Sequence, residues 1–229
     1  MSAPSPDDMN WVVVIPAKTL ATAKSRLADV AGTRRPELAL AMLVDTVTAA
    51  AGTPGVRSVL VVTDDERIAA AVAAVGAVVT PDEPRAGLNA AFEHGITQAL
   101  STNPGCGVAL LTGDLPALRA AELGGVLHRA WTSSAGVIAV ADRDGDGTTL
   151  LAARTPTQLH PAYGPGSFAR HLTLGAMVAD LDGLTGLRCD VDDAAGLRAA
   201  VEIGVGAATA ALLAAAHAQG PGSLTDPGP

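Results

Sequence analysis

Two aspartates separated by a single residue are the clearest sign of chemistry in this sequence. Asp190 and Asp192 lie at the end of Leu187–Val191, an apolar segment that predicts a strand, and residues two apart on a strand share a face. Two ionised carboxylates side by side repel each other, so they usually come with a cation. Magnesium takes oxygen ligands and commonly keeps substrate phosphates as partners. The pair therefore indicates a magnesium site, unless Asp192 or Asp193 only caps the helix that follows.

A third carboxylate, Asp114, comes directly after Gly113 and the apolar strand pattern Val108–Thr112. Ligands of open α/β sheets bind at the carboxyl ends of the strands. Asp114 should therefore point towards such a ligand, and it strengthens the magnesium prediction if it lies close to the other two aspartates. The alternative is that Asp114 caps the next helix, because Asp is a favoured capping residue.

The only two lysines of the chain, Lys18 and Lys24, lie in one loop after the first apolar run. The lysine ammonium is a compact charge that suits phosphate oxygens, so we predict that at least one of the two binds phosphate. The loop lacks the glycines of a Walker A motif and of a GxGxxG dinucleotide motif. The alternative is that Lys24 and Arg26 belong to a solvated face.

Two further segments, GDGTTLLAA (145–153) and YGPGSFARH (163–171), combine hydroxyl groups with glycines. They supply the Thr149 and Ser167 hydroxyls, and backbone N–H groups beside a predicted helix start. That combination suits a phosphate or a carboxylate. The alternative for Ser167 is a plain helix cap.

The elements that must position these residues alternate between strand and helix patterns. Residues 10–217 are therefore predicted to form one α/β domain with a mostly parallel, twisted sheet between two helical layers. The flanking segments 1–9 and 218–229 are rich in Pro, Ser, Gly and Asp and are predicted to be disordered tails. The predicted strands are Trp11–Ile15, Val56–Val62, Ala77–Val79, Val108–Thr112, Val137–Ala141, Thr149–Ala153 and Leu187–Val191.

Composition excludes several classes of function. A net charge of −8 disfavours binding to duplex nucleic acid or to anionic lipid. The sequence indicates neither a signal peptide nor a membrane span, so we expect a soluble cytoplasmic protein; the oligomeric state is left open. The two cysteines form no CxxC motif. The histidines lack metal-ligand spacing, and we interpret most of them as surface or packing residues: His94, His128, His160, His171 and His217.

Taken in order, six segments resemble the CofC family of guanylyltransferases in coenzyme F420 biosynthesis, called FbiD in actinobacteria. They are IPAKTLATAKSRL, RAGLNAAFEHG, LTGDLPAL, GTTLLAA, YGPGSFARH and CDVDD, and the similarity covers about residues 11–203. The resemblance implies a Rossmann-like nucleotidyltransferase fold of the glycosyltransferase-A type, similar to the molybdenum-cofactor guanylyltransferases. It also implies a reaction that joins GTP to phosphoenolpyruvate or 2-phospho-L-lactate and releases pyrophosphate. Many members carry Asn where this chain has Thr149, and the Thr-Thr version resembles the actinobacterial branch, which favours phosphoenolpyruvate.

The resemblance also implies a role for each candidate residue. Asp114, Asp190 and Asp192 would hold magnesium, and Thr149, Gly164 and Ser167 would bind the small acid. The nucleotide would be contacted by the 16–26 loop, which includes Arg26, by the Arg85–Asn89 region and by Gly113. Lys24 or Lys18 would neutralise triphosphate oxygens and so serve catalysis.

The implied chemistry needs no catalytic base, because an acceptor phosphate with a second pKa of about 6 is largely dianionic at neutral pH. Three alternatives remain at this stage. The chain could be another nucleotidyltransferase of the same fold, with a different base or acceptor. It could be a nucleotide-binding subunit without activity. An NAD-dependent oxidoreductase is disfavoured because the glycine fingerprint is absent.

Overall fold

The computed structural model describes residues 9–20, 34–83, 85–133, 136–179 and 182–218. The strands are β1 (Trp11–Pro16), β2 (Val56–Val62), β3 (Val78–Thr80), β4 (Gly107–Leu111), β5 (Ile138–Ala141), β6 (Thr148–Ala153) and β7 (Met177–Val178). The helices are α1 (Arg35–Ala51), α2 (Glu66–Ala74), α3 (Leu88–Thr102), α4 (Ala120–Thr132), α5 (Ser167–Thr173), α6 (Ala194–Ile203) and α7 (Ala207–Ala218), with a 3-10 turn at Pro156–Gln158. Residues 1–8 and 219–229 of the predicted tails lie outside the described residues, whereas Met9 is buried.

The strands form one seven-stranded sheet in the order β3-β2-β1-β4-β6-β5-β7. Strand β6 is antiparallel to both β4 and β5, while β1, β2, β3 and β4 pair in parallel, as do β5 and β7. All strands except β6 therefore run in one direction. The predicted single-domain, mostly parallel α/β fold is confirmed.

Alternate residues of the central strands pack against opposite helical layers. Val13 of β1 shares a buried cluster with Leu43 of α1 and Leu123 of α4. Its neighbour Val14 shares a second cluster with Phe92 of α3 on the other face of the sheet. Strands buried on both faces read as continuous apolar runs, which is why the WVVVI pattern predicts β1 well.

The chain turns in opposite directions on the two sides of β1, because β2 and β3 lie on one side and β4 on the other. Such a reversal leaves an opening at the carboxyl ends of the two central strands, where open α/β sheets bind ligands. The loops after β1 and β4 carry Lys18 and Asp114. The topology therefore brings the lysine loop and the first aspartate to the same edge.

The predicted strand Leu187–Val191 is wrong, since the segment forms turns and irregular structure. Its backbone N–H groups find other partners. Leu187 N–H donates to the Glu122 carboxylate, Cys189 N–H to the Gly186 carbonyl and Val191 N–H to the Asp114 carbonyl. These bonds replace those of a ladder, so the apolar pattern here reflects burial against α4 and α6 rather than strand pairing.

Among the described residues, no single helix is long and apolar enough to cross a membrane. Helices α6 and α7 reach that length and composition only as a pair bent by 116°.

Candidate active site

Asp114, Asp190 and Asp192 come together at the carboxyl edge of the sheet. Each offers a carboxylate oxygen, and these oxygens lie within 4.8 Å of one another. Asp114 and Asp190 are partly buried and Asp192 is exposed. Within the part of the chain that the structure describes, no other group of three or more His, Cys, Asp or Glu side chains is arranged to hold a metal ion. The cluster has the hard oxygen ligands that divalent magnesium or manganese prefers.

Backbone and hydroxyl contacts fix the loop that carries Asp114. Its carbonyl accepts the Val191 N–H at 3.0 Å, which ties the loop directly to the segment of the other two aspartates. The buried Thr46 hydroxyl of α1 accepts the Leu115 N–H at 3.1 Å and donates to the Met42 carbonyl at 2.9 Å. Asp114 is therefore held from both sides, by α1 and by its neighbour in the cluster.

A buried carboxylate on α4 holds the segment leading to Asp190. Glu122 accepts hydrogen bonds from Gly186 N at 3.2 Å and from Leu187 N at 2.6 Å, with the Thr185 hydroxyl at 3.4 Å. Gly186 is required at this point, because a Cβ there would lie 2.1 Å from the Ala117 carbonyl oxygen. The segment that follows Asp114 and the segment that precedes Asp190 are thus in close contact at Ala117 and Gly186.

The first residues of α4 and α6 show whether Asp114 or Asp192 acts as a helix cap. Asp193 is the N-cap of α6, and its carboxylate accepts the Gly196 N–H at 2.8 Å. That hydrogen bond is the main reason why the pKa of Asp193 lies below its ordinary value. The N-cap position of α4 is Arg119, without a side-chain cap. Neither Asp192 nor Asp114 therefore serves as the cap of a following helix.

The first lysine lies beside this cluster in the topology. Lys18 is exposed just after β1, and Gly113 packs closely against the end of that strand, where a Cβ would meet Ile15 at 3.2 Å. The Leu20 N–H donates to the Asp65 carboxylate at 2.9 Å, which fixes the course of the chain after Lys18. The predicted contacts Lys24 and Arg26 lie outside the described residues.

A buried network joins β6 to α5. The His171 Nε2 accepts the Ala162 N–H at 3.0 Å, so the ring proton is assigned to Nδ1, which donates to the Thr148 hydroxyl at 2.9 Å. The Ser167 hydroxyl also donates to Thr148, at 3.2 Å. Burial lowers the pKa of His171 to about 4, so the ring is neutral at pH 7. His171 is a packing residue, as predicted for most histidines, but its link to Thr148 was missed.

Thr149 lies next to this network with a buried hydroxyl that has no hydrogen-bond partner among the described residues. Thr149 as a whole is 1% exposed. The Thr112 hydroxyl, on the neighbouring strand end, is in the same condition, and Thr112 N–H donates to the Thr149 carbonyl at 3.0 Å. Buried hydroxyls without partners are uncommon and call for an explanation, such as a bound ligand. Thr112 is only two residues from Asp114, so both hydroxyls lie at the carboxyl end of β4.

The glycine loop before α5 is held by its own backbone, because the Ser167 N–H donates to the Gly164 carbonyl and the Phe168 N–H to the Asp146 carbonyl. Gly164 and Gly166 have positive φ values of 125° and 69°, which favour glycine. Gly166 N–H donates to the Asp146 carboxylate at 2.9 Å, and the Arg170 guanidinium donates to the Ala162 and Pro165 carbonyls. Ser167 is the first residue of α5 and not its N-cap, because the N-cap is Gly166.

The Arg85–Asn89 region, predicted to contact the nucleotide, runs from the loop before α3 into its first turn. The Asn89 amide is engaged with the Tyr163 backbone, at 2.7 Å and 3.2 Å. Arg85 has a positive φ of 45° and an ion pair with Asp64 at 2.8 Å, beyond the carboxyl end of β2. The structure thus brings the Arg85–Asn89 region to the same edge of the sheet as Lys18.

Comparison with known proteins agrees with this geometry. Residues 11–184 match the family described as guanylyl transferase CofC like. The chain is 48% identical over 223 residues to a phosphoenolpyruvate guanylyltransferase of Thermomonospora curvata, covering 96% of each chain. It is 47% identical over 207 residues to a phosphoenolpyruvate guanylyltransferase of Streptomyces coelicolor, covering 90% of this chain and 97% of the relative.

Solved structures with low sequence identity share the fold. A 4-diphosphocytidyl-2C-methyl-D-erythritol synthase superposes with a TM-score of 0.58 at 12% identity, over 85% of this chain and 99% of the other. A nucleotidyl transferase from Methanothermobacter gives a TM-score of 0.56 at 16% identity, over 85% and 97%. The sheet with its acidic edge is thus a nucleotidyltransferase fold, and the chain belongs to the family of CofC-like guanylyl transferases.

Proposed function

We propose that this protein transfers the guanylyl group of GTP to phosphoenolpyruvate, giving enolpyruvoyl-2-diphospho-5'-guanosine and pyrophosphate, in coenzyme F420 biosynthesis. The observation that carries the proposal is the acidic cluster at the same sheet edge as two buried hydroxyls that lack partners among the described residues. The relatives named phosphoenolpyruvate guanylyltransferase, which match nearly the whole chain, support the choice of donor and acceptor.

The bond changes are simple. An oxygen of the acceptor phosphate attacks the α-phosphorus of GTP, and the bond from that phosphorus to the bridging oxygen of the β-phosphate breaks. The electron pair leaves with pyrophosphate. Because the acceptor phosphate is already largely dianionic at neutral pH, with a second pKa of about 6, the reaction requires no proton removal from the nucleophile. The difficulty is the approach of two anions, which cationic groups reduce.

We assign the metal site to Asp114, Asp190 and Asp192. Three carboxylate oxygens within 4.8 Å of one another fit a small divalent cation with oxygen ligands, and substrate phosphates can complete its coordination. When bound, magnesium would supply positive charge to the triphosphate and to the leaving pyrophosphate. The aspartates orient that charge because their two chain segments are fixed to each other by the Val191–Asp114 hydrogen bond.

The other residues bind the two substrates. Lys18 contacts triphosphate oxygens from the loop after β1, and Lys24 and Arg26 belong to the same loop. The Thr149 hydroxyl and the Gly164–Ser167 loop bind the phosphate and carboxylate of the acceptor. The Thr149 hydroxyl would gain there the partner that it lacks among the described residues.

The test is pyrophosphate release from GTP and magnesium with phosphoenolpyruvate, 2-phospho-L-lactate or 3-phosphoglycerate as the acceptor. We expect release with phosphoenolpyruvate, and loss of that release in Asp114→Asn. Asp144→Asn is the matched control, because Asp144 is exposed and its recorded partner is Arg143 at 3.8 Å. Pyrophosphate release with 2-phospho-L-lactate alone would show that this compound, and not phosphoenolpyruvate, is the acceptor. Silence with all three acceptors and all four nucleotides would refute the proposal.

A further inference from the structure

We propose that Asn89 is a positioning residue for the acceptor-binding loop Gly164–Ser167 and that it does not contact the nucleotide. The inference rests on the proposed function, in which this loop binds the small acid. It differs from the expectation for the Arg85–Asn89 region, which assigns the region to the nucleotide.

Both polar atoms of the Asn89 amide are used by one residue far away in the sequence. Tyr163 N–H donates to Asn89 Oδ1 at 2.7 Å, and Asn89 Nδ2 donates to the Tyr163 carbonyl at 3.2 Å. The two residues are 74 positions apart. The side chain thus imitates the pairing of a neighbouring strand, and it satisfies both backbone groups of Tyr163. This pairing fixes the orientation of the amide, so that one N–H of Nδ2 and one lone pair of Oδ1 are already committed to Tyr163.

Asn89 lies at the start of α3, but its side chain does not cap that helix. It lies in the first turn, where the N-cap is Gly87 with a φ of 96° and has no side-chain cap bond. Asn is a poor helix former because its side chain competes for nearby backbone groups. Here its recorded hydrogen bonds leave the helix altogether, so the amide serves the distant loop.

The residue that Asn89 holds is the fixed point from which the acceptor loop departs. The Tyr163 ring stacks on Phe92 of α3, with centroids 4.4 Å apart, and its hydroxyl donates to the Leu110 carbonyl of β4 at 3.0 Å. The ring also meets His171 edge-on at 5.1 Å. Tyr163 is therefore fixed at its ring and hydroxyl by packing, and at its backbone by Asn89.

The glycine loop follows at once. Gly164 has a φ of 125°, and its carbonyl accepts the Ser167 N–H at 3.0 Å, which closes the turn that leads into α5. A change in the direction of the Tyr163 peptide is thus passed directly to Gly164 and Ser167. Because Asn89 follows Arg85 by four residues, it also links the nucleotide side of the site to the acceptor side.

Asn89→Ala and Asn89→Asp test the inference. Alanine removes both bonds, while aspartate keeps an acceptor for the Tyr163 N–H but turns an oxygen towards the Tyr163 carbonyl. Leaving buried backbone groups without partners is strongly unfavourable, so we expect the KM for phosphoenolpyruvate to rise about tenfold or more. The KM for GTP should change less than about twofold, because no nucleotide contact is lost. A rise in the KM for GTP with that for phosphoenolpyruvate unchanged would overturn the inference.

Hydrogen exchange tests the same contact without substrates. In Asn89→Ala, we expect the amides of Tyr163 to Ser167 to exchange at least about tenfold faster, because the Tyr163 N–H has lost its acceptor. Asn103→Ala is the control, because Asn103 is the C-cap at the far end of the same helix and its side-chain amide bonds the adjacent Thr102 among the described residues. Unchanged exchange in Asn89→Ala would refute the positioning role. Failure of the wild-type protein to use phosphoenolpyruvate would refute the proposed function and leave the exchange result to decide the inference.

Discussion

The acidic edge (Asp114, Asp190 and Asp192) and the proposed acceptor pocket (Thr148, Thr149, Ser167 and His171) are built in opposite ways. The acidic edge presents three carboxylates, one of them exposed, and they are positioned through backbone bonds to Glu122 and Thr46. In the proposed acceptor pocket, the Thr148 and Ser167 hydroxyls and the neutral His171 ring are buried and bonded to one another. The carboxylates of the acidic edge are suited to bind a metal ion, whereas the hydroxyls and the neutral ring of the pocket fix its shape. The two regions should therefore respond differently to the same kind of mutation.

The largest effect should come from the acidic edge. Asp190→Asn removes one charge from the cluster but keeps the size of the side chain. We expect the rate of pyrophosphate release to fall about 100-fold or more, since charge stabilisation of a transition state is commonly of that size. Asp144→Asn, outside the cluster, should stay near the wild-type rate. Full activity in Asp190→Asn would remove this carboxylate from the metal site.

Thr149→Val should weaken binding of the acceptor without lowering the stability of the protein. Thr149→Val deletes a buried hydroxyl that lacks a partner among the described residues, so the free energy of unfolding should hold or rise. The KM for phosphoenolpyruvate should rise about tenfold, as expected for the loss of a hydrogen bond to a charged ligand. Thr148→Val is the matched control, because it breaks bonds to His171 and Ser167 and should lower stability. A large stability loss in Thr149→Val would contradict this assignment.

A smaller effect is expected from the residue that anchors the acidic edge. Glu122→Gln turns a donor towards a backbone N–H group, so the free energy of unfolding should fall by about 1 to 3 kcal/mol. The magnesium concentration for half-maximal activity should also rise, because the segment before Asp190 is less well fixed. Asp45→Asn offers the comparison, since Asp45 is likewise buried and accepts N–H groups of Ala208 and Thr209 at the start of α7. It should lower stability without changing the magnesium requirement; an equal shift in both variants would make Glu122 merely structural.

The smallest effect is a pH dependence of the acceptor pocket. The pKa of His171 falls from its ordinary 6.5 to about 4 on folding because burial disfavours the charged ring. The unfolded chain therefore binds more protons between these values, so this contribution to stability is lost as pH falls from 6.5 towards 4. We expect the difference in unfolding free energy between wild type and His171→Gln to shrink from pH 7 to pH 5. The lowered pKa values of Asp65 and Asp193 act only below that range, with ordinary values of 3.8. A difference independent of pH would contradict the neutral buried ring.

The sequence predicts the acidic edge better than the pocket for a physical reason. Apolar runs followed by Asp114 and by the Asp190–Asp192 pair are local patterns, and strand ends of an open α/β sheet share one edge. Asp190 and Asp192 still lie close to Asp114 although Leu187–Val191 is not a strand. The Glu122 carboxylate accepts the Leu187 N–H, which in a strand would bond a neighbouring strand. The sequence does not predict this role of Glu122, because the residue looks like an ordinary acidic residue in the first turn of a helix.

The pocket depends on contacts between residues far apart in sequence. Thr148 and His171 are 23 positions apart, and Asn89 and Tyr163 are 74 apart. No periodicity or motif spacing encodes such pairs, so a histidine of this kind reads as an ordinary packing residue. The fold class and the edge that carries the site follow from local pattern, whereas the supports of the site follow from tertiary packing.

Phosphorus NMR of the protein with GTP, phosphoenolpyruvate and magnesium tests the central claim most directly. Guanylyl transfer consumes the monophosphate signal of phosphoenolpyruvate and produces two coupled diphosphate signals together with pyrophosphate. We expect these changes with wild type and their absence with Asp114→Asn. Hydrolysis of GTP with the phosphoenolpyruvate signal intact, or no change in either substrate, would contradict the account.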